Sequence, residues 1–406
     1  MLLTKKAMSV PSNNIIDIEN LPGEYRSESK DSFVKNGSIQ HLMICPKPEP
    51  PPFDTSKQSH LSEINNAYSL GSVDVEDYYR ELVDFFPSLE ANIRHFLQPK
   101  SPLIYITEEQ YENRATDQLQ QVPPRIWQTG KFPLSEVPLH LMEKIKTWID
   151  FADQSVKKNF NYMWDEGWKY QYVDDEGIRN MWPEHLHYLL DYLSMKPVTK
   201  SDAWRLLILS LHGGIYADLD AELYKPVHRW WTDAQYGVCD PSYSAPSLII
   251  SLERDNTYSN VPWYKGHGRP MQVVQWTFAS APGHPVMVDA LRRVDENIKA
   301  YVKEHGEEQL KDLTAANILQ MTGPGAFTDA VLKYLAVKYD IHWWDIRPQS
   351  NKRALSAMQF GDVLVLPRIA FNAKDIMNQQ FAHLHEGVCV FHSYSSSWRD
   401  KPKGGK

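Results

Sequence analysis

The sequence predicts an α/β protein with a mixed sheet, preceded by a helical neck and an N-terminal tail without structure. Three observations carry this. Strand-like and helix-like segments alternate from about residue 122 to the C-terminus, the pattern of an α/β layer. Amphipathic helical sequence precedes them at 74–97. Before that lies a polar stretch with the run Pro46-Lys47-Pro48-Glu49-Pro50-Pro51-Pro52, which fits neither a helix nor a central strand and reads as an extended linker. The expected division is a tail at 1–66, a neck at 67–121 and a main domain at 122–406.

The elements follow in order. In the neck, Tyr78, Leu82, Phe85 and Phe86 share one helical face. After Pro87 and Ser88 a second helix presents Leu89, Ile93, Phe96 and Leu97. The main domain opens at Val122-Pro123-Pro124-Arg125-Ile126-Trp127-Gln128-Thr129. Helix-like stretches run over 138–151, 201–212, 285–304 and 325–338, and strand-like stretches over 215–217, 248–252 and 363–366. No internal repeat of solenoid period is present.

The chain has 406 residues, with 43 Lys plus Arg against 51 Asp plus Glu, a formal charge of −8. A nucleic-acid binder ordinarily shows a basic excess, so that class is disfavoured. No stretch approaches the roughly 18 consecutive apolar residues of a membrane span, and the N-terminus is too short in apolar residues for a signal peptide. The three cysteines, Cys45, Cys239 and Cys389, are widely spaced and form no CxxC pair. They therefore read neither as a disulfide framework nor as a zinc site. Asn36-Gly37-Ser38 is the one glycan acceptor sequence. The 13 Trp and 21 Tyr are numerous, and such rings suit ligands that are half apolar and half polar, sugars among them.

The most informative run is residues 197–226, PVTKSDAWRLLILSLHGGIYADLDAELYKP. Thr199 and Asp202 form a capping-box pattern that opens a helix. Trp204, Leu207, Ile208 and Leu211 make its core face, while Asp202 and Arg205 lie three apart on the other, exposed side. Gly213 and Gly214 end the helix. A short strand leads to Asp218-Leu219-Asp220. Two carboxylates at i and i+2 on extended backbone point the same way. At the end of an α/β strand they face the ligand crevice. Such a pair suits a hard divalent cation that also grips a diphosphate, which makes a nucleotide sugar the natural substrate.

This run resembles the DxD block of glycosyltransferase family 32, and four further regions fit in the same order. They are Pro124-Arg125-Ile126-Trp127-Gln128-Thr129-Gly130-Lys131, the block from Gln275-Trp276 to Pro282-Gly283-His284-Pro285, Thr322-Gly323-Pro324-Gly325 to Asp329, and the closing pair formed by residues 361–367 with His392 to Trp398. The resemblance spans about 122–400. It implies a GT-A type nucleotide-sugar-binding sandwich and a retaining, metal-dependent transferase. It implies Mn²⁺, or another divalent cation, as cofactor and GDP-mannose as donor. A mannose-containing N-glycan would be the acceptor, joined in α-1,6 linkage in the Golgi lumen. By the same resemblance Trp127, Gln128 and Thr129 would meet the base and ribose. Asp202 and Arg205 would contact the donor sugar and phosphate. Asp218 would bind ribose or reach the metal, Asp220 would ligate it, and His392 would add a metal or diphosphate contact. Ser397 and Trp398 would close over the diphosphate. Asp202, Arg205, Asp218 and Asp220 are thus the expected catalytic set. The rivals are the same fold using a UDP-hexose, and a carbohydrate-binding protein without catalysis.

Overall fold

The computed structural model of the chain describes residues 15–17, 58–98, 122–158, 167–232, 246–257, 266–346, 357–375, 382 and 385–394. The proline run, Asn36, Cys45, Cys239, Ser397 and Trp398 lie outside them. Cys389 is the one cysteine among the described residues, and it is buried. No helix among them is long and apolar enough to cross a membrane.

Three helices precede the main run of strands: α1 (Gln58–Asn66), α2 (Val75–Phe85) and α3 (Glu90–Leu97). Asp74 caps α2 by accepting the Glu76 and Asp77 amides. Tyr78, Leu82, Phe86 and Ile93 are buried in the same core as Leu206 and Leu291 of the main domain. Two elements fall inside the stretch expected to lack structure: α1, and a short strand β1 (Ile15–Asp17) that pairs antiparallel with β3 (Lys169–Val173).

The strands that follow are β2 (Arg125–Thr129), β4 (Gly214–Ala217), β5 (Ala221–Leu223), β6 (Leu248–Asp255), β7 (Met271–Val273), β8 (Thr277–Ser280), β9 (Met358–Phe360), β10 (Val363–Leu366) and β11 (Val390–His392). The large sheet has the order β1-β3-β2-β4-β8-β6-β10-β9, with β7 on β6. The β3–β2, β2–β4 and β6–β10 pairs are parallel, whereas β8 runs antiparallel between β4 and β6. This is the expected mixed α/β sandwich. Between the strands come α4 (Leu139–Lys158), α5 (Asp175–Met181), α6 (His187–Ser194), α7 (Pro197–His212), α8 (Val227–Thr232), α9 (Pro285–His305), α10 (Ala315–Met321), α11 (Pro324–Tyr339) and α12 (Arg368–Phe371).

Strand side chains alternate between two cores, as the period of two requires. Trp127, Tyr216, Leu248, Ile250, Val363 and Val365 join the core under α2, α7, α9 and α11. Ile126, Ile215, Ile249, Leu364 and Leu366 join the other, under α4 and α8. A sheet covered on both faces explains why β10 and the start of β6 read as continuous apolar runs rather than alternating ones.

Asp362, in the turn before β10, ties several elements together. Its buried carboxylate accepts the hydroxyls of Tyr334 (2.9 Å) and Tyr339 (2.5 Å). His284 Nε2 lies 3.4 Å away and Lys338 Nζ 4.0 Å. Burial alone would raise its pKa, but His284, Lys338 and Tyr339 together outweigh burial and hold it well below the usual carboxylate range. A depressed folded-state pKa stabilises the fold above the unfolded value of about 3.9, and that stability is lost as pH falls further. Asp362→Asn is expected to cost about 3 kcal/mol at pH 7. In chemical denaturation the gap to wild type should narrow below about pH 4; a gap independent of pH would contradict the charge-based account.

Candidate active site

The site grows from the end of α7. Pro197 occupies the first turn, and its fixed φ opens the helix. The expected capping box does not form. Thr199 instead turns its hydroxyl back to the carbonyls of Leu193 (3.0 Å) and Lys196 (2.8 Å). Gly213 ends the helix at φ +62°, with its amide on the Leu209 carbonyl. A Cβ there would stand 2.7 Å from ring atoms of Pro123 and Pro282. Only glycine therefore lets the chain turn straight into β4.

β4 stops at Ala217, and Asp218 to Ala221 form a turn closed by the Ala221 amide on the Asp218 carbonyl (3.1 Å). The Asp-x-Asp pair thus sits on a turn rather than on the extended backbone expected. Gln128 steadies the turn by donating to the same carbonyl (3.1 Å), and its own carbonyl accepts from Tyr170 (2.9 Å).

Asp202 and Arg205 are buried, not on an exposed face as their helix-start position suggested. The physical reason is long-range cover. Arg205 donates to the Gln275 carbonyl (3.0 Å), while the Gln275 side chain donates to the Thr322 carbonyl (2.9 Å). The Thr322 hydroxyl donates to Asp202 (2.8 Å). The Arg205 guanidinium lies 3.2 Å from Asp202 and 3.2 Å from Asp218, and over the Tyr216 ring. Tyr216 in turn donates to Asp218 (2.9 Å). Burial pushes the Asp202 carboxyl up to about 6, against the pull of Arg205 and Thr322. Burial also raises Asp218, opposed by Arg205. Burial disfavours a charged Arg205, yet Asp218, Tyr216 and Asp202 outweigh it and keep the cation.

His392 arrives from the far end of the chain. β11 pairs antiparallel with β5, setting His392 opposite Ala221, and the Ser393 amide bonds the Asp220 carbonyl (3.1 Å). His392 Nε2 is 2.8 Å from an Asp220 oxygen and 4.0 Å from an Asp218 oxygen. One ligand atom from each of Asp218, Asp220 and His392 falls within 4.8 Å of the others. Neither imidazole nitrogen makes an aligned hydrogen bond among the described residues, although both are buried. Two carboxylates and a buried imidazole free to ligate fit a divalent metal with mixed oxygen and nitrogen ligands.

The remaining expected residues are placed as follows. Trp127 is fully buried in the core and donates its indole N–H to the Gly213 carbonyl (2.9 Å). Gln128 and Thr129 are buried as well, and the Thr129 hydroxyl bonds the Val173 carbonyl (2.6 Å). All three spend their side-chain polar groups inside the protein. Beyond these, Asp329, which closes the block beginning at Thr322, is locked to Arg269 by two short contacts (2.7 and 2.5 Å). Sequence reasoning did not single out Tyr216, Gln275 or Thr322 as parts of the site, although all three stand in or beside the quoted blocks.

Comparisons with known proteins bear on what such a site does. Residues 139–236 match the family described as the glycosyltransferase sugar-binding region containing the DXD motif. Together with the relatives named next, this match supports a glycosyltransferase, the class of enzyme expected from the sequence. It is similar to the initiation-specific α-1,6-mannosyltransferase of Candida albicans, at 27% identity over 70% of this chain and 74% of that protein. It is similar likewise to the enzyme of the same name in Schizosaccharomyces pombe, at 28% identity over 79% of this chain and 72% of that one.

Proposed function

We propose that the chain is a metal-dependent retaining mannosyltransferase. In this reading it moves mannose from GDP-mannose to a mannose-containing N-glycan in α-1,6 linkage, and it acts in the Golgi lumen. Residues 122–406 would be the catalytic domain and 67–121 its neck. The carrying observation is the convergence of Asp218, Asp220 and His392 beside the buried cation of Arg205. The choice of mannose rests on the relatives named above.

The donor is a sugar diphosphate, whose sugar–phosphate bond breaks with negative charge building on the leaving oxygen. A divalent cation held by Asp218, Asp220 and His392 would supply Lewis-acid charge there. Arg205, fixed by Asp202, Asp218 and the Gln275 carbonyl, supplies a preorganised positive group. Asp202 is in turn held by Thr322, so the guanidinium needs no reorganisation during the reaction. The acceptor hydroxyl adds to the sugar on the face the diphosphate leaves, and its proton passes to the departing phosphate oxygen. No protein nucleophile is required. Ser397 and Trp398 would close over the diphosphate.

A panel of GDP-mannose, UDP-glucose and UDP-galactose, assayed with Mn²⁺ and with EDTA and followed by product linkage analysis, tests this. The expected outcome is Mn²⁺-dependent turnover of GDP-mannose and an α-1,6 product. Strong turnover of a UDP-hexose with none of GDP-mannose would replace the donor. Sugar binding without any transfer would favour the non-catalytic reading.

A further inference from the structure

His392 poses a physical problem. A histidine that ligates a metal usually has its ring fixed by a hydrogen bond from its second nitrogen to a carboxylate, carbonyl or water. Here Nε2 faces Asp220 at 2.8 Å, and the second nitrogen, Nδ1, makes no hydrogen bond among the described residues. The ring is nevertheless packed closely on two sides. Trp276 lies flat against it, with centroids 4.3 Å apart and planes 10° apart. Tyr394 meets it edge-on at 4.2 Å and 83°. Tyr394 is itself pinned, because its hydroxyl donates to Asn372 (2.8 Å) and its backbone sits at φ +51°, an uncommon conformation for a residue other than glycine.

Trp276 also reaches the other half of the site. Its backbone carbonyl accepts the Asp218 amide (2.8 Å), just before β8 begins. One residue therefore braces two of the three candidate ligands, Asp218 through the main chain and His392 through the ring. The indole N–H makes no hydrogen bond among the described residues, so the ring acts by its face.

We propose that Trp276 is a positioning residue of the metal site, and that its stacked face, with the edge of Tyr394, fixes the His392 imidazole in place of the usual hydrogen bond. This rests on the reading of Asp218, Asp220 and His392 as a cation site. The role is distinct from sugar stacking, since the face of Trp276 that meets His392 is covered.

The test is a titration of the full chain with Mn²⁺, following the free-ion electron paramagnetic resonance signal, with thermal unfolding of each metal-free protein alongside. Trp276→Phe keeps a flat aromatic face, though a smaller one, and gives up an N–H that makes no hydrogen bond among the described residues, so its Mn²⁺ affinity should stay within about threefold of wild type. Trp276→Leu and Tyr394→Leu should each weaken Mn²⁺ by about tenfold or more, the scale set by outer-shell partners of metal ligands. If Trp276→Leu fails to fold, Tyr394→Leu and Trp276→Phe still decide the matter. Wild-type affinity in a folded Trp276→Leu or Tyr394→Leu protein would overturn the positioning role alone. So would equal losses in Trp276→Phe and Trp276→Leu. Absence of Mn²⁺ binding by the wild type would instead overturn the cation site itself, and this proposal with it.

Discussion

Asp220→Ala is expected to lower the rate of sugar transfer by about a hundred- to a thousandfold, the scale on which removing one preorganised stabiliser of leaving-group charge acts. The loss should appear in kcat as well as kcat/KM, because the charge to be stabilised develops only as the bond breaks. The fold should survive. Asp220 stands close to Asp218, and its charge raises the pKa of that neighbour, so the metal-free protein loses a repulsion along with a contact. What should disappear is stabilisation by added Mn²⁺, since a ligand that binds only the folded state raises its stability by mass action. A metal-free melting temperature near wild type, with no rise on adding Mn²⁺ and with transfer abolished, is the expected combination. A variant that transfers sugar as well as wild type would remove Asp220 from the chemistry.

Arg205→Met has the largest expected effect on stability. The substitution keeps length and apolar character but strands two carboxylates, Asp202 and Asp218, that the guanidinium now bridges at 3.2 Å each. Breaking a buried ion pair by removing one partner typically costs about 3–5 kcal/mol. The sign of the pH dependence follows from Asp202. Burial already pushes its carboxyl up to about 6 in the intact protein, and losing Arg205 pushes it higher. A carboxyl whose folded pKa exceeds its unfolded value of about 3.9 favours the fold at low pH. That contribution is lost as pH rises through the folded value. The variant's deficit should therefore be larger at pH 8 than at pH 5, measured by denaturant unfolding at both. A deficit that grows on acidification would contradict the assignment of Asp202 as the stranded group. Transfer activity should fall too, because Arg205 is the cation placed beside the candidate metal site.

Much of the fold could be read from local pattern. The helices at 74–97, 285–304 and 325–338 were found within a residue or so because caps and prolines mark them: Asp74, Pro87, Pro285 and Pro324 each stand at an element's start. The strand at 363–366 was found because it is short, apolar and bounded by turn residues. The misreadings have a common cause. Thr199 and Asp202 have the spacing of a capping box, but Pro197 starts the helix earlier and leaves both inside it. The exposure of Asp202 and Arg205 was inferred from the helix alone, whereas the cover comes from Gln275 and Thr322, seventy or more residues away in sequence. No helical periodicity contains that information. The burial of Trp127 is similar. Its strand lies near the middle of a sheet with helices on both faces, and a position central in a sheet is a property of strand order rather than of the strand.

The site itself was legible in an uneven way. Asp218 and Asp220 stood out by spacing, and their order after a helix, two glycines and a strand gave them context. His392 could be named only through family resemblance, since one histidine of 15 carries no local mark. What joins it to the others is the pairing of β11 with β5, a contact across more than 160 residues. Tyr216 and Trp276 were each quoted in a block, yet what they do depends on which ring or carboxylate packs against them.

The central claim is that Asp220 and His392 hold one divalent cation at the diphosphate of the donor. Crystals grown with Mn²⁺ and GDP, measured at the manganese absorption edge, test it most directly. The account predicts a single anomalous peak bonded to Asp220 and His392 and to a diphosphate oxygen. Diphosphate bound in the site with no manganese beside Asp220, or manganese bonded to neither residue, would contradict it.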